Sequence, residues 1–329
     1  MIDKNNFIIK SSTIILFLLI LAIPVLAESG QDLTIAFVPR SLDNPIFLDT
    51  FVNSQDKALE LDVRLEWVAP FSFDTEGQIE VIENLIRREV NGMIVSVNDV
   101  ESIHEVISKA IDNGIAVATF DADSPGSERL FHIGIDNTKA GLAIGNALIG
   151  VLEKKGLAEQ ELDIMILTGS RDALNLQERI YGFMQATMDE VNLNITDILE
   201  NHDDLKLAIN LVEGYVKEHP DIDIIYFVGG WPFYVPAEAM PNFQKWAQNG
   251  GTAVGIDIFY NALVLQEEGL IDYLIGQDFA SMGSVGLEHM VNYIRYGSRP
   301  PVFIETGLEH ANNENIKELL EIHKPWSVK

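Results

Sequence analysis

The residues of this chain that could carry chemistry lie where short apolar runs end. Asp121 ends the run Ala116–Asp121, and Asp257 ends the run Thr252–Asp257. Carboxylates in such places bind metals, act as acids or bases, or accept hydrogen bonds from ligand hydroxyls. Six other residues of interest also follow apolar runs: Arg40, Asn44, Asn98, Asp123, Trp231 and Gln277. The pattern predicts one polar rim to which several strands contribute.

Each of these residues also has a purely structural interpretation. Asp121 and Asp123 share a face if the extended chain continues, yet a lone pair of this kind more often belongs to a turn, here Ser124-Pro125-Gly126. Asn44 precedes Pro45, a dipeptide that commonly begins a turn. Trp231 is compatible with a packed surface aromatic, and Arg179, inside a predicted helix, is compatible with a solvated face or an ion pair. Only their convergence favours a binding site.

Several kinds of chemistry are excluded by what the sequence lacks. It has no cysteine, no phosphate-binding glycine loop, no GxSxG or HExxH motif, and its seven histidines show no metal-ligand spacing. A net charge of −28 argues against nucleic acid as a partner. We therefore expect a binding protein with no cofactor and no metal. Glycoside hydrolysis by Asp121 and Asp257 across a cleft remains an alternative.

Apolar strands alternate with helical stretches along the whole chain after residue 33. The predicted strands are Thr34–Pro39, Val63–Ala69, Gly92–Val97, Ala116–Asp121, Phe131–Ile135, Asp163–Thr168, Ile195–Asn201, Ile222–Val228, Thr252–Asp257 and Tyr273–Gln277. This rhythm is typical of parallel sheets covered by helices on both faces. Two sets of about five strands exceed one ordinary sheet. The fold class is therefore α/β, with two doubly wound parallel-sheet lobes. Ligands of such sheets bind at the carboxyl ends of the strands.

The first 27 residues are typical of a secretory signal peptide. Lys4 and Lys10 precede the apolar run Ile14–Leu21, Pro24 breaks it, and Ala27 suits the cleavage position. The run is shorter than the about 20 residues that a membrane-spanning helix needs, although a membrane anchor is the alternative. A lipoprotein would need a cysteine there. We expect a soluble exported protein, periplasmic in a cell with two membranes.

A polar rim on two lobes suits a neutral polyhydroxyl ligand. Asp, Asn, Arg and Gln side chains each hold two adjacent hydroxyls, and charge-assisted bonds are the stronger ones. Aromatic rings contact the apolar face of a sugar ring, and four lie near strand ends: Phe47, Trp231, Phe233 and Phe259. Two lobes that close by a hinge would bury such a ligand. The residues thus indicate a solute receptor.

The chain resembles the ribose/galactose-type periplasmic sugar-binding proteins of ABC transporters, the type I periplasmic binding proteins. The similar segments are TIAFVPRSLDNPIF, VATFDAD, FHIGIDNTKAG, NLQERIYGF, VGID and IGQD. The resemblance implies that the ligand contacts are Asn44, Phe47, Asp121 with Asp123 beside it, Arg179, Asp257 and Gln277. It also implies a three-strand hinge with the ligand cleft between the lobes.

This sequence departs from the family pattern at four places. Arg40 stands where ribose-binding members have a small residue, and Ala122 stands where they have Arg. Trp231, after two glycines, replaces an Asn-Asp pair, and His202 or Asp203 falls where an aromatic contact is common. The first departure resembles the branch that binds rhamnose-like or autoinducer-type ligands. We expect Arg40, Asp123 and Trp231 to determine which sugar binds.

The resemblance also implies the lobe boundaries and the partners. The N-terminal lobe comprises residues 28–136 and 279–301, and the C-terminal lobe residues 137–278 and 302–329. The protein would be a monomer that delivers a monosaccharide or polyol to the membrane permease of an ABC transporter. The alternative function is a periplasmic sensor of the same fold that signals to a chemoreceptor or a sensor kinase.

Overall fold

The protein contains two separate six-stranded sheets. The structure is a computed structural model and describes residues 33–324. The predicted signal peptide lies outside the described residues. The strands are β1 (Thr34–Val38), β2 (Arg64–Trp67), β3 (Gly92–Val95), β4 (Ala116–Phe120), β5 (His132–Gly134), β6 (Glu161–Thr168), β7 (Asn192–Glu200), β8 (Ile224–Phe227), β9 (Thr252–Ile256), β10 (Tyr273–Gln277), β11 (Phe303–Glu305) and β12 (Leu308–Ala311). The helices are α1 (Leu48–Leu61), α2 (Thr75–Arg87), α3 (Val100–Asp112), α4 (Asn137–Lys155), α5 (Leu174–Thr187), α6 (Leu205–Glu218), α7 (Pro241–Gln248), α8 (Tyr260–Glu267), α9 (Phe279–Tyr296) and α10 (Ile316–Ile322).

The two sheets have the same strand order, and this confirms the predicted fold class. The first is β2-β1-β3-β4-β5-β11, and the second is β7-β6-β8-β9-β10-β12. All neighbouring strands are parallel except β12, which pairs antiparallel with β10. All ten predicted strands are present. The strands β11 and β12 and the helices α7 and α10 were not predicted.

The chain crosses between the sheets three times. It leaves the first sheet after β5, returns after β10, and leaves again between β11 and β12. The last crossing therefore lies at residues 306–307, whereas the sequence analysis placed it near 301. The difference arises because Phe303 and Glu305 pair in register with His132 and Gly134 of β5. A three-residue edge strand is too short to show a periodic pattern.

Aspartates begin the helices that flank these crossings. Asp136 accepts a hydrogen bond from the backbone N–H of Lys139 at 3.0 Å, and Asp278 accepts one from Ser281 at 2.9 Å. Each satisfies a backbone donor that the first turn of a helix leaves free. Asp136 and Asp278 thus fix where α4 and α9 begin.

Small residues bring α4 and α5 into backbone contact. A Cβ atom on Gly141 would lie 2.1 Å from the carbonyl oxygen of Arg179, and one on Gly182 would lie 2.1 Å from that of Thr138. Only glycine permits this approach. The contact fixes the position of α5, which carries Arg179.

Candidate functional site

A cavity lies where the carboxyl ends of both sheets face each other. The volume of this cavity is about 40 Å³. Eight of the ten predicted site residues line it: Arg40, Asn44, Phe47, Asp121, Arg179, Trp231, Asp257 and Gln277. The remaining two, Asn98 and Asp123, do not. The tertiary structure thus brings most of the predicted rim together.

Asp121 contributes a buried carboxylate from the first lobe. Its backbone has a φ of 58°, and its Oδ2 accepts a hydrogen bond from Ser96 Oγ at 2.9 Å. Burial raises the pKa of Asp121, and the positive charges of Arg179 and Arg40 oppose that rise. The side chain is a hydrogen-bond acceptor whose charge is balanced from both lobes.

Arg179 faces Asp121 from the second lobe and is buried. Its Nε donates to Asn137 Oδ1 at 2.9 Å, and its Nη1 donates to the carbonyl oxygen of Val228 at 3.1 Å. Two bonds to different elements fix the plane of the guanidinium. The alternative of a solvated helix face does not apply to Arg179.

Asp257 and Gln277 form a second polar group in the C-terminal lobe. Asp257 Oδ2 accepts a hydrogen bond from the Gly230 N–H at 2.8 Å, and its Oδ1 accepts one from Gln277 Nε2 at 2.7 Å. Gln277 Oε1 is buried and has no hydrogen-bond partner within the protein. A buried polar atom without a partner is destabilising, so a ligand donor at this oxygen would be favourable.

Arg40 and Trp231 converge on Asp203, a residue whose role the sequence left open. Arg40 Nη2 lies 3.0 Å from Asp203 Oδ2, and Trp231 Nε1 donates to Asp203 Oδ1 at 2.8 Å. Asp203 and Trp231 both line the cavity, whereas His202 does not. Asp203 therefore adds a third carboxylate to the cavity wall, beside those of Asp121 and Asp257.

Aromatic side chains close the cavity, but they are not all the predicted ones. Phe47 is buried and packs edge-on against Phe279, with centroids 6.1 Å apart. Tyr234, which was not predicted, lines the cavity and stacks on Phe259 at 4.0 Å between centroids. Phe259 thus supports Tyr234 from behind. Phe233 does not line the cavity, because it is fully buried in the core of the second lobe.

Tyr234 presents a buried hydroxyl. Burial raises the pKa of Tyr234 well above its usual value, with the charge of Asp257 as a further cause. The hydroxyl has no hydrogen-bond partner within the protein. It therefore remains a neutral donor and acceptor for a ligand. Nothing in the local sequence distinguishes it from the neighbouring aromatics, so sequence reasoning missed it.

Asn44 combines its two predicted roles. Its Oδ1 accepts a hydrogen bond from the Ile46 N–H at 3.1 Å and begins the short helix Pro45–Phe47. The same residue lines the cavity. The turn role and a position at the site coexist.

Asp123 belongs to an ion pair and not to the cavity wall. It contacts Arg129 through two hydrogen bonds and also accepts one from Thr119 Oγ1. Burial by itself raises the pKa of Asp123, but Arg129, His132 and Thr119 lower it below its usual value. The expectation that Asp123 contacts the sugar is not supported by this geometry.

Asn98 does not line the cavity but contacts a residue that does. Its Nδ2 donates to the carbonyl oxygen of Arg40 at 3.2 Å, and its backbone N–H donates to Gln78 Oε1 at 3.0 Å. It supports the loop that carries Arg40.

Among residues 33–324, no group of three or more His, Asp and Glu side chains is arranged to hold a metal ion.

The fold and the site define a two-lobed binding protein with a polar cavity between its lobes. The chain belongs to the family described as periplasmic binding protein domain, whose model matches residues 35–298. The predicted family resemblance is confirmed. Within the part of the chain that the structure describes, no helix has the length and apolarity needed to cross a membrane.

Three known proteins illustrate the similarity. The xylose/arabinose-binding protein XylF of Sulfolobus acidocaldarius is 26% identical over 298 residues, 87% of this chain and 72% of that protein. The D-ribose/D-allose-binding protein of Pseudomonas aeruginosa is 27% identical over 205 residues, 60% of this chain and 62% of that protein. A solute-binding protein of an ABC transporter from Burkholderia graminis, solved with D-arabinose, has a TM-score of 0.80 at 26% identity and covers 88% of this chain and 98% of its own.

These relatives are binding proteins, and the prediction of a binder without catalytic activity is confirmed by them. The raised pKa of Asp121 would suit a general acid. However, Asp121 faces two guanidiniums, which is the arrangement of a charge-balanced binding site.

Proposed function

We propose that this protein captures a neutral monosaccharide, of pentose size, in the cavity between its lobes. The observation that carries the proposal is the set of buried polar atoms without protein partners at that cavity: Arg40 Nε, Tyr234 Oη and Gln277 Oε1. Buried donors and acceptors of this kind are stabilised when a ligand supplies the missing hydrogen bonds. A sugar hydroxyl both donates and accepts, and so suits all three.

The charges of the cavity favour a neutral sugar over an acidic one. Three carboxylates, on Asp121, Asp203 and Asp257, face two guanidiniums, on Arg40 and Arg179. An added anion would therefore enter a wall with an excess of negative charge. The names of the relatives give xylose, arabinose, ribose and allose as ligands, in agreement with a small neutral sugar.

Calorimetric titration of residues 28–329 tests the proposal. The panel comprises D- and L-arabinose, D-xylose and D-ribose, with galactose, glucose, rhamnose and autoinducer-type furanoses for the predicted alternatives. Galacturonate and glucuronate serve as charged counterparts. We expect saturable binding of at least one neutral pentose and none of the two acids. Binding of the acids alone would contradict the proposal.

A retained ligand would hide binding, so the protein is first unfolded, dialysed and refolded. Mass spectrometry of the dialysate identifies any sugar that was released. The Asp257→Asn variant is the site control, because the amide preserves shape and removes charge. Binding that is unchanged in Asp257→Asn would place the sugar elsewhere.

We further propose that the three crossings form the hinge. Residues 135–136, 278 and 306–307 then separate an N-terminal lobe of residues 33–134 and 279–305 from a C-terminal lobe of residues 137–277 and 308–324. The interlobe position of the cavity supports closure around the ligand. Small-angle scattering with and without the identified sugar tests it, and a smaller radius of gyration is expected with sugar.

Export and delivery to an ABC-transporter permease complete the proposal. The signal-like segment and the family support both. The full chain is expressed in a Gram-negative host, and the periplasmic product is expected to begin at Glu28 and to elute as a monomer. A product that retains residues 1–27 in the membrane fraction would contradict export as a soluble protein.

A further inference from the structure

Arg40 and Asp203 belong to different lobes and form an ion pair across the cavity. Arg40 follows β1 of the first sheet, and Asp203 follows β7 of the second. Arg40 Nη2 and Asp203 Oδ2 are 3.0 Å apart, and each side chain is only 6% exposed. The contact requires that the two lobes face each other closely.

Both partners are held in place by their own lobes. The Arg40 guanidinium lies 4.9 Å from the ring centroid of Phe73, and Asn98 supports its backbone. Asp203 has a φ of 58°, accepts a hydrogen bond from Trp231 Nε1, and donates its backbone N–H to Asn201 Oδ1 at 3.0 Å. Two preorganised charges lose little side-chain entropy when they meet.

We propose that Asp203 is a positioning residue, which holds the Arg40 guanidinium in the cavity and favours the closed arrangement of the lobes. In the closed arrangement the burial of Arg40 is tolerated because Asp203 balances its charge. The Arg40 Nε, without a protein partner, remains available to a ligand. The inference rests on the closure described under the proposed function and assigns part of its driving force.

The Asp203→Asn substitution removes the negative charge of the side chain and keeps its shape. An asparagine Oδ1 still accepts the Trp231 indole N–H, so the wall of the cavity is kept. The negative charge is lost, and the buried Arg40 then lacks the carboxylate that contacts it from the other lobe when the lobes close. We expect the ratio of closed to open molecules to fall about tenfold or more.

The test uses the sugar-free protein, so its outcome is independent of which ligand binds. The chain has no cysteine, so nitroxide labels can be attached at Ser72→Cys and Glu238→Cys, two exposed positions in opposite lobes. Pulsed electron paramagnetic resonance then measures the distance between the lobes. We expect a short-distance population in the parent protein that is depleted in Asp203→Asn and in Arg40→Gln.

The matched control is Glu305→Gln. Glu305 pairs with Lys139 of α4 at 3.1 Å, also between lobes, but the two side chains are 42% and 58% exposed. Exposed pairs contribute little, so the distances should remain those of the parent protein. An equal shift in Glu305→Gln would overturn the assignment of a specific role to Asp203.

The double variant Arg40→Gln with Asp203→Asn decides whether the two residues act as a pair. It removes one charge of each sign, so neither member of the pair is left without the other. We expect its closed fraction to exceed that of either single variant, since interacting residues are not additive. Additive losses, or a sugar-free parent protein as open as Asp203→Asn, would overturn the proposal. Failure of the sugar titration alone would leave this result intact.

Discussion

Asp121 and Asp257 occupy equivalent places in the two lobes. Each follows the fourth strand of its sheet, β4 or β9, and donates its backbone N–H to the next strand, to Ile133 at 3.1 Å and to Ile275 at 2.7 Å. Each also has a positive φ, 58° and 93°. Such backbone conformations are uncommon outside glycine and cluster at functional sites. Both lobes thus use the same kind of backbone conformation to direct a carboxylate toward the cavity.

Removing either charged group that balances the cavity should weaken sugar binding. Asp121→Ala and Arg179→Ala each leave a buried charge without its partner, which raises the free energy of binding by about 2–5 kcal/mol. Calorimetry with the identified sugar measures the loss. Asp123→Ala is the control from the same loop, since Asp123 contacts Arg129 outside the cavity. Full affinity in both site variants would refute the assignment.

Binding should weaken as the pH falls, from a higher pH than for an ordinary aspartate. Burial raises the pKa of Asp121, and a sugar hydroxyl donates best to the ionised carboxylate. Acidification protonates Asp121 and removes that acceptor. We expect the pH dependence of the dissociation constant to flatten in Asp121→Asn. The same profile in variant and parent would assign it to another group.

His132 should make the folded protein less stable in mild acid. Burial lowers the pKa of His132 from 6.5 to about 4, against the opposing charge of Asp123. Between those two values the unfolded chain binds a proton that the folded chain does not, so stability falls as the pH is lowered. The difference corresponds to about 3 kcal/mol.

Chemical denaturation of His132→Gln between pH 7 and pH 4 measures this contribution. We expect a shallower decline of the unfolding free energy than in the parent protein. His219→Gln, at an exposed histidine, should retain the parent slope. An unchanged slope in His132→Gln would mean that other groups cause the acid sensitivity.

Gly141→Ala should destabilise the protein and reduce sugar binding together. Its Cβ would overlap the carbonyl oxygen of Arg179, so α4 and α5 must separate at a loss of about 1–3 kcal/mol, and Arg179 moves with α5. Gly150→Ala in the same helix meets no atom within 4 Å and should stabilise by about 0.5–1 kcal/mol. Thermal unfolding and calorimetry of both variants check this, and equal effects would exclude the packing explanation.

Elements with a local signature could be predicted, and those fixed by distant residues could not. Helix α7 illustrates the second case. Its first backbone N–H groups, on Asn242 and Phe243, donate to the carboxylate of Glu213 on α6 at 3.1 and 2.8 Å. A cap supplied from another helix leaves no local sequence signal. The edge strand β11 was missed because it has only three residues and pairs with β5, which is distant in the chain.

The sequence by itself determined the alternation of strands and helices and the strand ends at which polar residues gather. The hydrophobicity of the side chains and its periodicity are local properties, so they can be recognised in the sequence. Only the tertiary structure decided which of those residues face the cavity. Asp121 and Asp123 would share a face of an extended strand. The positive φ of Asp121 ends the extended conformation, and Asp123 instead accepts a hydrogen bond from Arg129. The pairing of Arg40 with Asp203 likewise depends on two lobes meeting, a contact between residues far apart in the chain.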